Sequence, residues 1–514
     1  MAHSIHRMAV VGTGVMGTGI AQIAAQAGLS VHLFDARAGA AASSRDNLVS
    51  TLDRLADKGK IGAGEATDAA ARLHVAATLG DLASCDLIVE AIVERIEPKR
   101  ALLAELEDIV GETCILASNT SSLSVTAIAR CARHPERIAG FHFFNPVPLM
   151  KVVEVVDGLE TSPAVGDALV ALAERMGHRA VRAKDTPGFV VNHAGRAYGT
   201  EALMMLGESV ASCGDIDRVL REAAGFRMGP FELFDLTGLD VSHPVMESIY
   251  AQFYQEPRCR PSALTRQMLE GGRLGRKTGH GFYRYRDGKP LDPAPNQRVP
   301  DVGVLPPVWI GAEREADRDA LRTLLHAIGV TVETEAVPSR GALCLLAPYG
   351  QDATTACRLH VTDPRRTVCI DLLPGLDRHR TLMLTPATDA GARDAAHAIL
   401  ARDGVGVTVI NDSVGFIVQR TLAAIVNLAC DISQQGIASV EDIDDAVRLG
   451  LGYPRGPLAW GDALGADRLH TILTRLLATT GDPRYRPSPW LRRRAALGLS
   501  LRTAEPCAAS ADTR

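Results

Sequence analysis

MAVVGTGVMGTGIAQIAAQAGLSVHLFD, residues 8–35, decides the fold class. Met8 to Val11 is an apolar strand. Gly12, Gly14 and Gly17 follow in the spacing G-x-G-x-x-G, and Ile20-Ala21-Gln22-Ile23-Ala24 then continues as a helix. A second strand, Ser30 to Phe34, ends at Asp35. The three glycines act differently. Gly12 permits the tight turn, Gly14 lets backbone approach a pyrophosphate, and Gly17 lets helix and strand pack closely. The first amides of the helix, with the positive end of its dipole, suit the negative charge of that pyrophosphate. Asp35 stands where a carboxylate accepts hydrogen bonds from an adenine ribose. It would repel a 2′-phosphate, which favours NAD over NADP, although Arg37 stands close behind it.

The pattern outward from this unit alternates strand and helix. Strands are expected at Asp86–Ile92, Cys114–Ser118, Ile138–Asn145, Lys151–Val156 and Arg179–Ala183, with helices at Glu97–Val110 and Pro163–Gly177. Such alternation implies an open, mostly parallel sheet in an α/β domain of the Rossmann type. After Asp185 helical patterns dominate to Phe253. A turn-rich piece follows, Gly275 to Tyr285, and a Pro- and Asp-rich stretch after it reads as a linker.

An internal repeat lies further on. At an offset of 227 residues, Asp185 to Asp412, Asp185-Thr186-Pro187-Gly188-Phe189 falls on Asp412-Ser413-Val414-Gly415-Phe416. The register holds ungapped to Asp240 and Asp467. The expected organisation is therefore an NAD-binding domain at 1–184, a helical domain at 185–286 and a linker at 287–307. A degenerate α/β segment without the glycine motif follows at 308–411, then a second helical copy at 412–500 and a disordered tail at 501–514. The run Arg492-Arg493-Arg494 reads as a solvated face.

Composition excludes several classes. Of 514 residues 46% are hydrophobic and 22% charged, as in an ordinary soluble globular chain, and the net charge of −5 offers no basic footprint for nucleic acid. No apolar run reaches membrane-spanning length, and the beginning of the chain does not read as a signal peptide. Ten cysteines without a C-x-x-C or Cys/His cluster point to no metal site and to a reducing cytoplasm.

Chemistry is carried by three places. Ser118-Asn119-Thr120-Ser121-Ser122 follows a buried strand at the sheet edge where ligands bind. Its hydroxyls either bond a substrate oxygen or cap a helix at Leu123–Ala129, and different residues can do each. His142 lies in Phe141-His142-Phe143-Phe144-Asn145-Pro146, and Glu154 in the next strand. An antiparallel pair centred near Pro148 would set the two opposite each other, with Cβ atoms about 5 Å apart. That is a general base with an orienting acid. A carboxylate in an otherwise apolar strand also needs such a partner. Asn192 is placed one turn into a helix starting at Pro187, where its amide can donate to a carbonyl or serve structure.

Together these motifs resemble the 3-hydroxyacyl-CoA dehydrogenase family. The resemblance covers Met8 to Tyr285 and, as a second helical module, Asp412 to about Asp467. It rests on S-N-T-S-S, G-F-H-F-F-N-P-V-P-L-M-K-V-V-E-V-V, D-T-P-G-F-V-V-N and G-P-F-E-L-F-D-L-T-G-L-D. It implies His142 as catalytic base, Glu154 as its partner, and Ser121 and Asn192 on the reacting oxygen. Gly12, Gly14, Gly17, Asp35, Glu94, Lys99 and Asn145 match cofactor-contacting positions, and Lys277 is expected to close over the cofactor. Thr51 and Lys58 fall near positions that touch coenzyme A. The family usually has Arg after the Asn of P-G-F-x-x-N, where this chain has His193.

The two-module length and the ending P-R-Y-R-P-S-P-W resemble the long bacterial branch linked to phenylacetate catabolism, which implies 3-hydroxyadipyl-CoA as substrate. The alternatives are a 3-hydroxybutyryl-CoA dehydrogenase, a free 3-hydroxyacid dehydrogenase and a non-catalytic NAD- and acyl-CoA-binding protein. Intact Ser121, His142, Glu154 and Asn192 argue against the last. In the second copy Gln419 replaces Asn192, Thr381 replaces Glu154, and Cys369 or Ile370 replaces His142. One active site per chain is therefore expected. The second helical module is expected to dock on the first as a partner subunit's would, and homo-oligomers remain open.

Overall fold

The computed structural model describes residues 5–291 and 296–505. The chain separates into two compact units. One runs to His193 and takes in Gln435–Gly452; the other holds Ala194–Gln434 and the chain from Tyr453 onward. The division does not follow the repeat boundaries, because a piece of the second helical copy belongs to the first unit. The candidate linker and tail are only partly described. Within their described parts, Gln297 pairs through its amide with both backbone groups of Val409, at 3.1 and 2.8 Å. Leu501 is fully buried, which corrects the expectation of disorder for that residue.

The first unit is built on an eight-stranded sheet. Its strands are β1 (Arg7–Val11), β2 (Ser30–Phe34), β3 (Leu73–Val75), β4 (Leu87–Glu90), β5 (Ile115–Ser118), β6 (Ile138–Phe143), β7 (Val152–Asp157) and β8 (Arg179–Lys184). The order is β3-β2-β1-β4-β5-β6-β7-β8. All neighbours are parallel except β6 and β7. Met8 and Val10 enter one core and Ala9 and Val11 another, so both faces of the sheet are covered. That burial is why these strands are continuously apolar. The short strand β3 carries too little pattern to be read from sequence.

In the second unit a small hairpin, β9 (Tyr285–Arg286) with β10 (Lys289–Pro290), precedes a six-stranded sheet. That sheet comprises β11 (Val308–Ala312), β12 (Val332–Glu333), β13 (Leu343–Ala347), β14 (Thr367–Ile370), β15 (His379–Leu384) and β16 (Gly406–Ile410). Its order is β12-β11-β13-β14-β15-β16, with only β14 and β15 antiparallel. The 227-residue offset carries β7 onto β15 residue for residue, so the duplication includes α/β structure upstream of Asp412.

The two helical copies meet about a pseudo-two-fold relation. Helix Arg196–Gly207 packs on its own counterpart, helix Ile417–Gln434. The segments Glu256-Pro257-Arg258-Cys259-Arg260 and Asp482-Pro483-Arg484-Tyr485-Arg486 exchange ion pairs: Arg486 to Glu256 at 2.6 Å and Arg260 to Asp482 at 3.4 Å. This is the self-complementary pattern of a two-fold dimer, realised within one chain. Degeneration has broken the symmetry. Arg420, the counterpart of His193, donates from Nε to Glu201 at 2.8 Å and from a terminal nitrogen to the Tyr485 hydroxyl at 2.9 Å, and pairs with Glu208. The acids belong to copy one and the arginine to copy two; their counterparts Leu428, Gln435 and His193 cannot repeat the pair.

The carboxylates of Asp235 and Asp462 play the same part in their respective copies. Asp235 receives the amides of Phe282 and Tyr283, which ties down the Gly275–Tyr285 piece. Asp462 receives the Leu501 amide and the Ser500 hydroxyl. The arginine run is only partly solvated. Arg494 is buried, stacked on Trp490 and bonded to the Thr503 carbonyl, which corrects the reading of that residue. No helix among the described residues is long and apolar enough to cross a membrane.

Removing one member of a buried ion network leaves the other charge uncompensated, at a cost of about 3–5 kcal/mol. Arg420→Met should therefore lower the urea midpoint sharply. Adding Glu201→Gln in the same chain should recover part of the loss, since both members are almost fully buried.

Candidate active site

Strands β6 and β7 place His142 directly opposite Glu154. Imidazole Nδ1 lies 2.7 Å from Glu154 Oε2. Because Nδ1 faces a carboxylate it carries the proton, and Nε2 is left with its lone pair. Glu154 is fully buried and fully used: its other oxygen accepts the amides of Val190 and Val191, each at 2.8 Å. Phe144 and Phe189 flank the imidazole with ring centroids 4.4 and 5.8 Å away.

These amide bonds also set where the next helix begins. Phe189 closes a turn onto the Thr186 carbonyl, with Gly188 and Phe189 both in left-handed conformations. The helix is Val191–Ala194, which corrects the expected start at Pro187. Its first amides are spent on Glu154, so the carboxylate acts as an N-terminal cap. Asn192 sits half-buried in that turn, two residues after Val190.

The serine-rich loop is organised around Glu94. Its Oε1 receives the Thr120 hydroxyl at 2.7 Å and the amides of Ser121 and Ser122 at 2.9 and 3.2 Å. The Ser121 hydroxyl reaches the same atom at 3.4 Å, a bond weak enough to be exchanged for a ligand. Burial would raise the Glu94 carboxyl, but the Lys99 ammonium and the loop donors hold it below its ordinary value. The adjacent helix begins at Val125, and Ser124, outside the motif, caps it by accepting the Ala127 amide. The five-residue motif thus leaves that helix uncapped, and its hydroxyls stay at the sheet edge. Asn119 accepts the Phe143 amide at 2.9 Å and so ties the loop to the strand bearing His142.

Lys99 is itself buried, with Nζ 2.9 Å from Glu90 and 3.3 Å from Glu94. Glu90, which also accepts the Ser118 hydroxyl, escaped the sequence reading. The signal was present: like Glu154, it is a carboxylate in an otherwise apolar strand.

The residues of the glycine turn fit a dinucleotide. Gly12 has φ 96°, and a Cβ there would meet the Ala91 carbonyl oxygen at 2.7 Å; one on Gly17 would strike the Gly12 carbonyl. Gly14, at the cap of helix Val15–Gln26, faces open space instead. A cleft of about 800 Å³ extends from there, lined by Phe34, Asp35, Thr78 and Ile92 among others. Burial would raise the Asp35 carboxyl. The Arg37 guanidinium, the Thr13 and Arg37 amides and the Thr13 hydroxyl nevertheless hold it far below the carboxylate range. Arg37 is thereby occupied by Asp35 at 3.1 Å.

Asn145 is exposed two residues beyond β6, which ends at Phe143 rather than at the expected Asn145. Thr51 donates to the Asn47 carbonyl on helix Ala40–Asp57, and Lys58 is exposed at that helix's C-terminus. Lys277 belongs to the second unit, where it pairs with Asp240 at 2.7 Å.

Comparison with known proteins agrees in extent. A profile described as the 3-hydroxyacyl-CoA dehydrogenase NAD binding domain matches residues 7–186, and its C-terminal domain profile matches 188–285 and 415–506. The chain is 38% identical over 97% of its length to the 3-hydroxyadipyl-CoA dehydrogenase of Escherichia coli K12, covering 99% of that protein. It is 40% identical to a probable 3-hydroxybutyryl-CoA dehydrogenase of Bacillus subtilis, over 55% of this chain and 98% of that one. A crystal structure of 3-hydroxybutyryl-CoA dehydrogenase from Escherichia coli K12 superposes with TM-score 0.83 at 37% identity, covering 96% of this chain and 99% of that one.

The second copy has filled the equivalent place with other side chains. Ile370 pairs with Leu382, so the residue opposite Thr381 is Asp371, whose amide donates to the Thr381 carbonyl at 3.0 Å. The expected counterpart of His142, Cys369 or Ile370, is corrected to Asp371, because the connector between the strands is two residues out of register with the repeat. Gln419 reaches Asp371 Oδ1 at 2.9 Å and seals the place by bonding Gly350 and Pro348. Burial pushes the Asp371 carboxyl up to about 6, against the opposing Gln419 and Leu373 hydrogen bonds. The folded state therefore prefers the protonated form. The penalty for ionising it is complete above that value and fades as pH falls toward the unfolded pKa. Asp371→Asn should stabilise the protein by up to about 3 kcal/mol at pH 8, with the gain closing near pH 4 in urea titrations.

Proposed function

Because the chain belongs to the 3-hydroxyacyl-CoA dehydrogenase family, we propose that it oxidises 3-hydroxyadipyl-CoA to the 3-oxo thioester, with His142 as general base. It is an NAD-dependent oxidoreductase, and residues 7–186 match the family's NAD-binding domain. The observation carrying the residue assignment is the 2.7 Å contact between His142 Nδ1 and Glu154 Oε2, with Glu154 saturated by two amides.

In this reading His142 Nε2 takes the proton of the 3-hydroxyl as the C3 hydrogen leaves with its electron pair, forming the carbonyl. NAD, when bound, supplies the hydride acceptor at its nicotinamide ring. Glu154 fixes the imidazole tautomer and offsets the positive charge that develops on it. The Ser121 hydroxyl and the Asn192 amide hold the reacting oxygen. Gly14 and the first amides of helix Val15–Gln26 would hold the pyrophosphate, and Asp35 the adenine ribose. Thr51 and Lys58 are assigned to the coenzyme A moiety, and Asn145 and Lys277 to the cofactor.

The dicarboxylic acyl group is favoured by likeness to a 3-hydroxyadipyl-CoA dehydrogenase along 97% of the chain, both modules included. 3-Hydroxybutyryl-CoA is the second reading, because a solved relative of that name covers nearly as much.

His142→Gln should lower kcat by about 10²–10⁴-fold while NADH still binds, since general-base catalysis is worth that much. The change in absorbance at 340 nm measures it, and wild-type turnover in the variant would refute the role. A panel of C4, C6 and dicarboxylic 3-hydroxyacyl-CoA substrates should give the highest kcat/KM with 3-hydroxyadipyl-CoA.

A further inference from the structure

Glu154 cannot hold His142 unless β7 and the Val190–Val191 turn are themselves held. β8, the outermost strand of this sheet, flanks β7, and within the first unit both are covered by a segment from the far end of the chain. Helix Val440–Gly450, a part of the second helical copy, packs on β7 and β8. This helix and the chain just before it pin β8 at both ends. Arg179, the first residue of β8, donates to Asp442 at 2.7 Å and Asp445 at 2.9 Å. Lys184, the last, donates its amide to the Ile437 carbonyl at 2.9 Å.

The end of this helix reaches the supports of the dyad. A Cβ added to Gly450 would lie 3.0 Å from each Val191 methyl and 3.5 Å from Val152 Cγ1. Val191 supplies one of the two amides that hold Glu154. Val152 lies two residues before Glu154 in β7, on the same face of the sheet. Glycine at position 450 therefore lets the helix backbone press on both supports together. The first copy packs its counterpart helix, Cys213–Glu222, on β15, where Thr381 stands in the place of Glu154 and the helix instead pairs its own Glu222 with His379 at 3.0 Å. There position 223, the equivalent of 450, is Ala.

We propose that Gly450, at the end of a helix donated by the second module, is a positioning residue for the His142–Glu154 dyad through Val191. The inference rests on the reading of His142 and Glu154 as the base and its partner. It gives the degenerate half of the chain a direct part in the reaction: that half bears no base but fixes the acid that orients one.

The test uses the full-length enzyme. Gly450→Ala should lower kcat about tenfold with little change in KM for the acyl-CoA and none in NADH affinity, measured by NADH fluorescence, because misplacing a catalytic group costs rate before binding. Adding Val191→Ala removes the methyls that the new Cβ meets and should restore most of the lost kcat. Val191→Ala alone completes the cycle, in which the two changes must be strongly non-additive. Wild-type kcat in Gly450→Ala would overturn the proposal. So would a loss that Val191→Ala fails to recover, or one shared equally by NADH binding, since either would mark a general packing defect. If instead His142→Gln kept full turnover, the base assignment would fall, whatever Gly450→Ala did.

Discussion

A single buried carboxylate organises the N-terminal α/β unit of this protein. Glu154 has no access to water, so each of its oxygens must be satisfied from within. One takes the imidazole proton of His142, and the other takes two consecutive backbone amides. That demand shapes what surrounds it. β7 must run antiparallel to β6 to bring the side chains face to face. The chain after Asp185 must turn through left-handed Gly188 and Phe189 before its helix begins, so that two amides point back at the sheet. The same turn delivers Asn192.

Duplication has divided labour between the halves of the chain. The first α/β unit keeps the glycine turn, the dyad and the serine-rich loop. The second retains the sheet order around its antiparallel pair but has closed the equivalent place with Asp371 and Gln419. The helical copies have become complementary. An interface that once repeated about a two-fold axis now holds Glu201 and Glu208 on one side and Arg420 on the other. Neither copy could form this ion pair with a duplicate of itself, since Leu428, Gln435 and His193 stand at the equivalent positions.

Much of this was legible in residue order. His142 and Glu154 are equidistant from Pro148, and two polar groups in apolar strands have few solutions but each other. The observed register is the one that this symmetry demands. The 227-residue repeat was equally visible. Other features were hidden for physical reasons. Ser124 rather than the S-N-T-S-S motif caps its helix, because Glu94 draws the motif's hydroxyls and amides to itself from 26 residues away. Asp371 stood beyond the residues expected opposite Thr381, since the connector length changed while the strands did not. The ion pairs that hold Lys99 buried between Glu90 and Glu94 were not visible, because they depend on Glu90 from the preceding strand.

What residue order determined by itself is the set of local commitments: the glycine turn, the alternation of strand and helix, the carboxylate paired with the imidazole, and the repeated module. Each of these is written within a span short enough for backbone geometry and hydrophobic period to govern it. Only the tertiary structure decided which of the repeated pieces would press upon which. Helix Val440–Gly450 belongs to the second module by descent and to the first sheet by contact. No local pattern records that choice, because it depends on the shape of a surface assembled from strands far earlier in the chain.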